Sequence, residues 1–151
     1  MRAVVQRVTK AEVRSRLTED ADYEVVGRIG AGMCVLVGVT HDDGRAEADK
    51  LAGKLAGLRI FADGDGVMNL AAADVGADFL VVSQFTLYGD TAKGRRPSWV
   101  AAARPEHAEP LVERVVEQLR ATGARVETGR FRTDMHVDIV NDGPVTLIVE
   151  T

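Results

Sequence analysis

Cysteine and histidine are scarce in this sequence of 151 residues. It contains one cysteine, Cys34, and three histidines, His41, His107 and His136. A single cysteine excludes both an intrachain disulfide and a cysteine-based metal site. The three histidines are far apart in the chain, and none belongs to a recognised ligand pair. We therefore predict no metal centre and no cofactor, and we interpret Cys34 as a small residue of the core.

Long apolar runs are also missing. No run reaches the 18 residues that a membrane-spanning helix needs, and Arg2 and Arg7 interrupt the start too early for a secretory signal. The composition is 46% hydrophobic and 28% charged, which is ordinary for a globular protein. The length suits one compact domain over residues 1–151. We expect a soluble, cytoplasmic protein of a reducing compartment, with no membrane partner.

The net charge of −4 is weak evidence against nucleic-acid binding, because lysine and arginine supply the contacts to phosphates. A local basic stretch is nevertheless present, with Lys93, Arg95, Arg96 and Arg104 and no acidic residue among them. Scattered arginines usually form a solvated surface. A loop with four cations and no acid can also be an anion site, so both interpretations stay open.

Two segments have the apolar spacing of helices. The first covers residues 45–58, with Asp42 or Asp43 as its expected N-cap. The second begins near Pro105 and runs to about residue 122, where Gly123 is expected to end it. We therefore predict two main helices.

The remaining apolar segments predict strands. The continuous run 33–39 is typical of a strand buried on both faces, and the sequence Asn141-Asp142-Gly143-Pro144 is a strong signal for a turn between two strands. Further strands are predicted at 3–8, 23–29, 58–61, 79–87, 125–128, 135–140 and 145–149. The predicted fold class is α/β, a single domain with a mixed, largely antiparallel sheet.

Polar residues interrupt the apolar strand 79–87 at Ser83 and Gln84. Because buried polar groups must find partners, either the strand reaches the surface here or a site lies at its end. No G-x-S-x-G motif is present, although a triad assembled from distant residues stays open. Thr86 could serve as a nucleophile only with an adjacent base, and the sequence offers no obvious one.

Several short strings occur together in the order and spacing of a known family. They are Gln6-Arg7-Val8, Gly30-Ala31-Gly32, Arg59-Ile60-Phe61, Met68-Asn69-Leu70, Ser83-Gln84-Phe85-Thr86-Leu87, Gly94-Arg95-Arg96-Pro97-Ser98, Thr128-Gly129-Arg130-Phe131 with Met135, and Asn141-Asp142-Gly143-Pro144-Val145-Thr146. Over nearly its whole length the sequence resembles the D-aminoacyl-tRNA deacylases, first named D-tyrosyl-tRNA deacylases. The resemblance implies their barrel-like fold.

The resemblance also implies an activity, namely hydrolysis of the ester bond of D-aminoacyl-tRNA to free D-amino acid and tRNA. It implies a homodimer in which Gly143-Pro144, with a cis bond, enters the site of the other subunit and rejects L-aminoacyl-tRNA. On sequence alone a cis bond there would be unusual. Other residues with implied roles are Ser83, Gln84, Phe85 and Thr86 in the catalytic pocket floor, Arg7 and Met135 as pocket support, and Lys93, Arg95 and Arg96 near the tRNA.

The implied mechanism needs no protein nucleophile. The vicinal 2′-hydroxyl of the RNA assists, and backbone N–H groups near Phe85 and Thr86 hold the oxyanion. A wall that only blocks an L side chain cannot reject glycine, so glycine mischarged on tRNA(Ala) is an expected substrate. Two departures from the family pattern are Arg132-Thr133, where small residues are usual, and a longer first hairpin over 14–24.

Two other functions stay open. One is a Thr86-dependent hydrolase of small D-amino acid esters or peptides, which would ignore RNA. The other is a non-catalytic RNA-binding or dimerisation module, in which changes at Ser83 to Thr86 would have no effect.

Overall fold

One long strand organises the sheet. In a computed structural model that describes residues 1–92 and 94–151, strand β1 (Arg2–Arg16) pairs antiparallel with strand β8 (Asp134–Glu150) along its whole length. Two strands share the other edge of β1. Strand β3 (Gly32–Gly38) pairs with its first half, and strand β2 (Glu24–Ile29) pairs with its second half, both antiparallel.

The sheet continues in parallel and nearly closes. Strand β6 (Asp78–Ser83) runs parallel to β3, and strand β7 (Val126–Thr128) runs parallel to β6. The far edges then approach each other, since a Cβ placed on Gly27 of β2 would lie 2.8 Å from the carbonyl oxygen of Thr128 in β7. The prediction of a mixed, largely antiparallel, barrel-like sheet is confirmed.

The two predicted helices are present, and both pack on one face of the sheet. They are α1 (Arg45–Gly57) and α3 (Pro105–Ala121), and a single turn, α2 (Ala72–Val75), lies between them in the chain. Strands β4 (Phe61–Ala62) and β5 (Met68–Leu70) form a separate small hairpin. No helix within 1–92 and 94–151 is long and apolar enough to cross a membrane.

The predicted cap of α1 was wrong. Gly44 occupies the N-cap position, and its N–H donates to the Glu47 carboxylate at 2.8 Å. Asp43 is instead buried, where it pairs with the amino group of Met1 and accepts from the Thr40 N–H at 2.7 Å. Because its carboxylate is held by these partners, Asp43 does not cap the helix.

The core has two parts because strand side chains alternate between faces. Met33, Val35 and Val81 point towards the helices and join a large cluster with α1 and α3. Cys34 and Leu80 point to the other face, into the inside of the curved sheet. The prediction that Cys34 belongs to the core is confirmed, and its burial raises the pKa of its thiol to about 11.

The predicted turn at Asn141-Asp142-Gly143-Pro144 was wrong. Residues 134–150 form one strand, β8, whose pairing with β1 is only displaced there, since Val8 faces Asn141 and Gln6 faces Thr146. One residue of β1 therefore stands opposite four residues of β8. We call the segment 142–145 the β8 bulge.

Candidate active site

A cavity of about 780 Å³ opens beside the carboxyl ends of β3 and β6. Its walls come from the ends of β3 and β6 with the turn after β6, the segment 99–103 and the first turns of α3, the tip of the β1–β2 hairpin, and the segment that enters β8. The residues that line it are Arg16, Leu17, Thr18, Glu19, Val37, Val39, Val82, Ser83, Gln84, Phe85, Trp99, Ala102, Ala103, Pro105, Ala108, Val112, Phe131, Arg132, Thr133, Asp134, Met135 and Val137. Most of the interior is apolar.

The polar break after the apolar strand lies at this cavity. Strand β6 ends at Ser83, not at residue 87 as predicted, and a 3-10 turn follows over Phe85–Tyr88. The Gln84 N–H still donates to the Val37 carbonyl oxygen at 2.7 Å, which fixes the backbone as it leaves the sheet. The structure therefore places Ser83, Gln84 and Phe85 in the cavity lining.

Thr86 differs from its three neighbours, because it is not among the residues that line the cavity. Its hydroxyl accepts a hydrogen bond from the Gln84 side-chain amide. The resemblance implied a pocket floor made by all four residues, but the structure brings only three of them to the cavity. Thr86 instead holds the Gln84 side chain.

The main-chain N–H groups of two residues, Phe85 and Thr86, begin the 3-10 turn. The first N–H groups of a helical turn have no acceptor within it. The N–H groups of Phe85 and Thr86 make no hydrogen bond to any part of the chain that the structure describes. The turn itself is held by hydrogen bonds from Leu87 N–H to the Gln84 oxygen at 3.2 Å and from Gly89 N–H to the Thr86 oxygen at 3.0 Å.

Aromatic side chains stand at the mouth of the cavity. The rings of Phe85 and Trp99 pack edge to face with centroids 5.5 Å apart, and both line the cavity while partly exposed. Trp99 packs over Gly89, where a Cβ would lie 2.4 Å from the indole ring. Gly89 is therefore needed for this contact, which single-sequence reasoning did not reveal.

Met135 lines the cavity. Its Sδ lies so close to Gly129 that a Cβ added there would be 2.6 Å away. The absence of a side chain at Gly129 therefore leaves the space that the end of the Met135 side chain occupies.

Gly143 and Pro144 lie elsewhere. Both are exposed, neither lines the cavity of its own chain, and the bond between them is cis. The β8 bulge that carries them is held by Asn141, whose side-chain amide donates to the Arg7 oxygen at 2.9 Å and to the Val145 oxygen at 3.1 Å.

Arg7 lies under the β8 bulge and does not line the cavity. Its Nη1 donates to the Ile60 carbonyl oxygen at 2.5 Å, and its Nε lies 2.8 Å from Oδ2 of Asp142. The Nε contact is an ion pair without hydrogen-bond geometry. Arg7 thus links the bulge to the segment before β4.

Two main-chain hydrogen bonds between Asp90 and Ser98, at 2.8 and 2.9 Å, join the residues at either end of the basic loop. Arg95 and Arg96 are exposed at its tip, and neither forms an ion pair within residues 1–92 and 94–151. They do not line the cavity. Lys93, which was predicted to act with them, lies outside the described residues.

The histidines have separate local contacts. The His41 ring lies 2.8 Å from the Val100 oxygen, the His107 ring lies 2.8 Å from the Asp43 oxygen, and the His136 ring stacks on Tyr23 at 3.9 Å. No group of three potential metal ligands occurs in the described ranges.

Comparison with known proteins decides the family. A family model described as D-Tyr-tRNA(Tyr) deacylase matches residues 4–150. The chain belongs to this family. It is therefore a hydrolytic enzyme of the deacylase type, and the resemblance stated from the sequence motifs is confirmed.

Individual relatives agree over their full lengths. The D-aminoacyl-tRNA deacylase of Symbiobacterium thermophilum is 55% identical over 151 residues, which are 100% of this chain and 96% of that protein. The D-aminoacyl-tRNA deacylase of Anaeromyxobacter dehalogenans is 56% identical over 100% of this chain and 97% of its own length.

Solved structures share the fold. One, of a c-Myc DNA Unwinding Element Binding Protein, has a TM-score of 0.89 and 38% identity over 100% of this chain and 99% of its own. A second, described as a "probable eukaryotic D-amino acid tRNA deacylase", has a TM-score of 0.82 and 18% identity over 99% of this chain and 98% of its own. The second supports the fold only.

Proposed function

We propose that this chain hydrolyses the ester bond between a D-amino acid and the terminal ribose of tRNA, in the cytoplasm. One observation carries the proposal: Ser83, Gln84 and Phe85 line a mostly apolar cavity of about 780 Å³, and the turn beside them begins with main-chain N–H groups that have no acceptor among the described residues. The cavity can hold an amino-acid side chain, and the turn can hold the carbonyl oxygen of its ester. The D-aminoacyl-tRNA deacylases at 52–56% identity support the substrate class.

The chemistry requires little from side chains, because an aminoacyl ester is already reactive. Water attacks the acyl carbon, the bond to the ribose oxygen breaks, and that oxygen takes the proton. The N–H groups of Phe85 and Thr86 are aimed at the oxyanion in this proposal, and such preorganised donors are worth about 3–4 kcal/mol each. The cavity lining contains neither histidine nor cysteine among the described residues, and its two acids are Glu19 and Asp134, of which Asp134 is paired with Arg16. In our proposal the 2′-hydroxyl of the RNA assists, as the resemblance implies.

Thr86 is disfavoured as a nucleophile. A threonine hydroxyl needs a base within hydrogen-bond reach, and the neighbour that contacts this hydroxyl is the amide of Gln84, which donates to it. An amide nitrogen cannot accept the proton. In our proposal Thr86 orients Gln84 and presents its own N–H.

Chiral selection comes from a second copy of the chain. Gly143 and Pro144 are exposed and remote from their own cavity, so they are free to enter the cavity of a partner in a homodimer. A backbone wall that blocks the direction of an L side chain selects by exclusion. Glycine has no side chain to exclude, and glycyl-tRNA(Ala) should therefore be hydrolysed as well.

The RNA is held by phosphate contacts. Arg95 and Arg96 suit that role because they are exposed and have no ion pair among the described residues, and Lys93 extends the same basic stretch of sequence. Binding through phosphates releases counterions, so turnover should weaken as salt is added. A hydrolase of free D-amino acid esters would show little salt dependence.

The decisive experiment compares hydrolysis of D-tyrosyl-, L-tyrosyl- and glycyl-tRNA by the purified protein. We expect rapid loss of the D and glycyl esters with the L ester spared. Equal loss of D and L esters would indicate a general esterase and contradict the role of Gly143-Pro144. Stable glycyl-tRNA beside rapid loss of D-tyrosyl-tRNA would contradict selection by exclusion, and no loss of any ester would favour a binding module.

A further inference from the structure

Arg132 has an unusual backbone conformation at the rim of the cavity. Its φ is +59°, and no other non-glycine residue in the described ranges has a positive φ. Glycine adopts this left-handed region freely, whereas an arginine is destabilised there by its Cβ. A residue kept in such a conformation beside a cavity points to a function for its side chain.

The turn around Arg132 is fixed by its neighbours. The Thr133 hydroxyl donates its one proton to the Arg130 carbonyl oxygen at 3.0 Å. The Ser15 hydroxyl lies 2.7 Å from the Thr133 hydroxyl oxygen and must therefore donate to it. Ser15 is completely buried in β1. The backbone of Arg132 is therefore held by the core of the sheet, and its side chain is directed outwards from a rigid base.

No ion pair neutralises the charge of Arg132 among the described residues. The neighbouring arginines are paired, since Arg16 lies 3.0 Å from Asp134 and Arg130 lies 3.2 Å from Glu24. Arg132 is exposed and has neither an ion pair nor a side-chain hydrogen bond in the part of the chain that the structure describes. Two acids line the cavity: Asp134, which is paired with Arg16, and Glu19, which lies on the tip of the β1–β2 hairpin.

We propose that Arg132 is a positioning residue that binds a phosphodiester group near the 3′ end of the RNA, an inference that rests on the proposed function. The interior of the cavity is mostly apolar and suits the amino-acid side chain, whereas Arg132 is an exposed cation of the cavity lining. Its planar donors match two phosphate oxygens at once. Because Glu19 repels a phosphate, the RNA backbone passes on the Arg132 side of the mouth.

The test distinguishes a phosphate contact of Arg132 from an effect on the chemistry at Ser83, Gln84 and Phe85. Arg132→Gly removes the cation and suits the positive φ, Arg132→Lys keeps a charge, and Arg45→Gln makes the same change in net charge on α1, away from the cavity. Each variant is assayed with D-tyrosyl-tRNA at several salt concentrations, and with the phosphate-free ester D-tyrosyl-adenosine. Thermal unfolding checks that each variant is folded.

For Arg132→Gly we expect the KM for D-tyrosyl-tRNA to rise about 3- to 10-fold, as loss of one charged contact would give, with kcat within about twofold. The slope of log(kcat/KM) against log[salt] should become shallower by about 0.7 to 0.9, because one phosphate contact is lost. Hydrolysis of D-tyrosyl-adenosine should not change, and thermal stability should be equal or higher. Arg132→Lys should restore most of the slope, and Arg45→Gln should match the wild type.

Three results for Arg132→Gly would overturn the inference while leaving the proposed function intact. The first is an unchanged KM and salt slope, and the second is an equal loss of kcat/KM with D-tyrosyl-adenosine. The third is a loss confined to D-aspartyl- and D-glutamyl-tRNA, which would mean that Arg132 binds acidic side chains of the substrate. If the wild type hydrolyses no ester, the proposed function fails. In that case the affinity for deacylated tRNA tests the role of Arg132 separately. Equal binding by the wild type and Arg132→Gly would show that the guanidinium does not contact the RNA.

Discussion

Replacing Arg7 by methionine tests what holds the β8 bulge in place. Methionine keeps an unbranched apolar stem but removes the guanidinium. The substitution breaks two contacts, the hydrogen bond from Nη1 to the Ile60 oxygen at 2.5 Å and the ion pair of Nε with Asp142 at 2.8 Å. These two contacts differ in burial, so their contributions to the free energy of unfolding can be separated.

The hydrogen bond to Ile60 should contribute more. A hydrogen bond from a charged donor is worth about 1.5–3 kcal/mol, and the Arg7 side chain is only 15% exposed. Asp142 is 47% exposed, and solvent screening reduces such a pair to about 0.2–1 kcal/mol. Arg7→Met should therefore cost about 2–4 kcal/mol, and Asp142→Asn less than about 1 kcal/mol.

The assay is chemical and thermal denaturation at one protein concentration, with the two single variants, the double variant and Arg28→Met. Arg28 pairs with Glu12 at 2.7 Å on the surface and is 67% exposed, so its loss should cost less than about 1 kcal/mol. The Tm of Arg7→Met should fall by roughly 4–15 °C at this chain length. An Asp142→Asn variant as unstable as Arg7→Met, or a coupling energy above about 2 kcal/mol, would refute the reasoning.

Three shorter predictions concern other residues. Thr86→Ala should slow hydrolysis only modestly, because the hydroxyl orients Gln84, and complete loss of turnover with intact tRNA binding would make Thr86 a nucleophile. Gly129→Ala should push Met135 into the cavity, raising the KM for D-tyrosyl-tRNA while sparing D-alanyl-tRNA, with a nearly unchanged Tm. Burial raises the pKa of the Cys34 thiol from 9.0 to about 11. The stability linked to this raised pKa is fully present below pH 9 and is lost as the pH rises to 11. Over that range the free energy of unfolding should fall by about 2–3 kcal/mol more in the wild type than in Cys34→Ala.

Local patterns predicted the regular elements well where one physical signal dominates. The helix near Pro105 begins at that residue and ends before Gly123, whose φ is +88°, because proline suits the first turn and glycine the left-handed stop. The strand 33–39 was predicted from its apolar run, and it lies in the middle of the sheet. In these places the local preference and the tertiary fold agree.

The prediction of a turn at Asn141-Asp142-Gly143-Pro144 was wrong because these residues are compatible with two different backbone structures. These residue types favour a reversal of the chain, and they also suit a bulge in which the strand continues afterwards. Contacts distant in sequence decided between them, since Asn141 is tied to Arg7 and the strand pairs with β1 on both sides of the bulge. A single sequence does not show which distant strand a segment will pair with.

The candidate site was only partly visible for a related reason. Reading a site from residue types works when catalysis uses side chains such as histidine or cysteine, but every residue except proline carries a main-chain N–H. The donors at Phe85 and Thr86 are set by the end of β6 and the start of a 3-10 turn, so the pattern Ser83-Gln84 could mark the place without stating the chemistry. The ordered motifs of the family identified the chain where residue types alone did not. A site built from main-chain groups should tolerate conservative changes of the side chains that line it better than any change that moves the turn. A Cβ on Gly38 would lie 3.0 Å from the Gln84 oxygen, just before that turn. A substitution at Gly38 should therefore reduce activity more than one at Thr86.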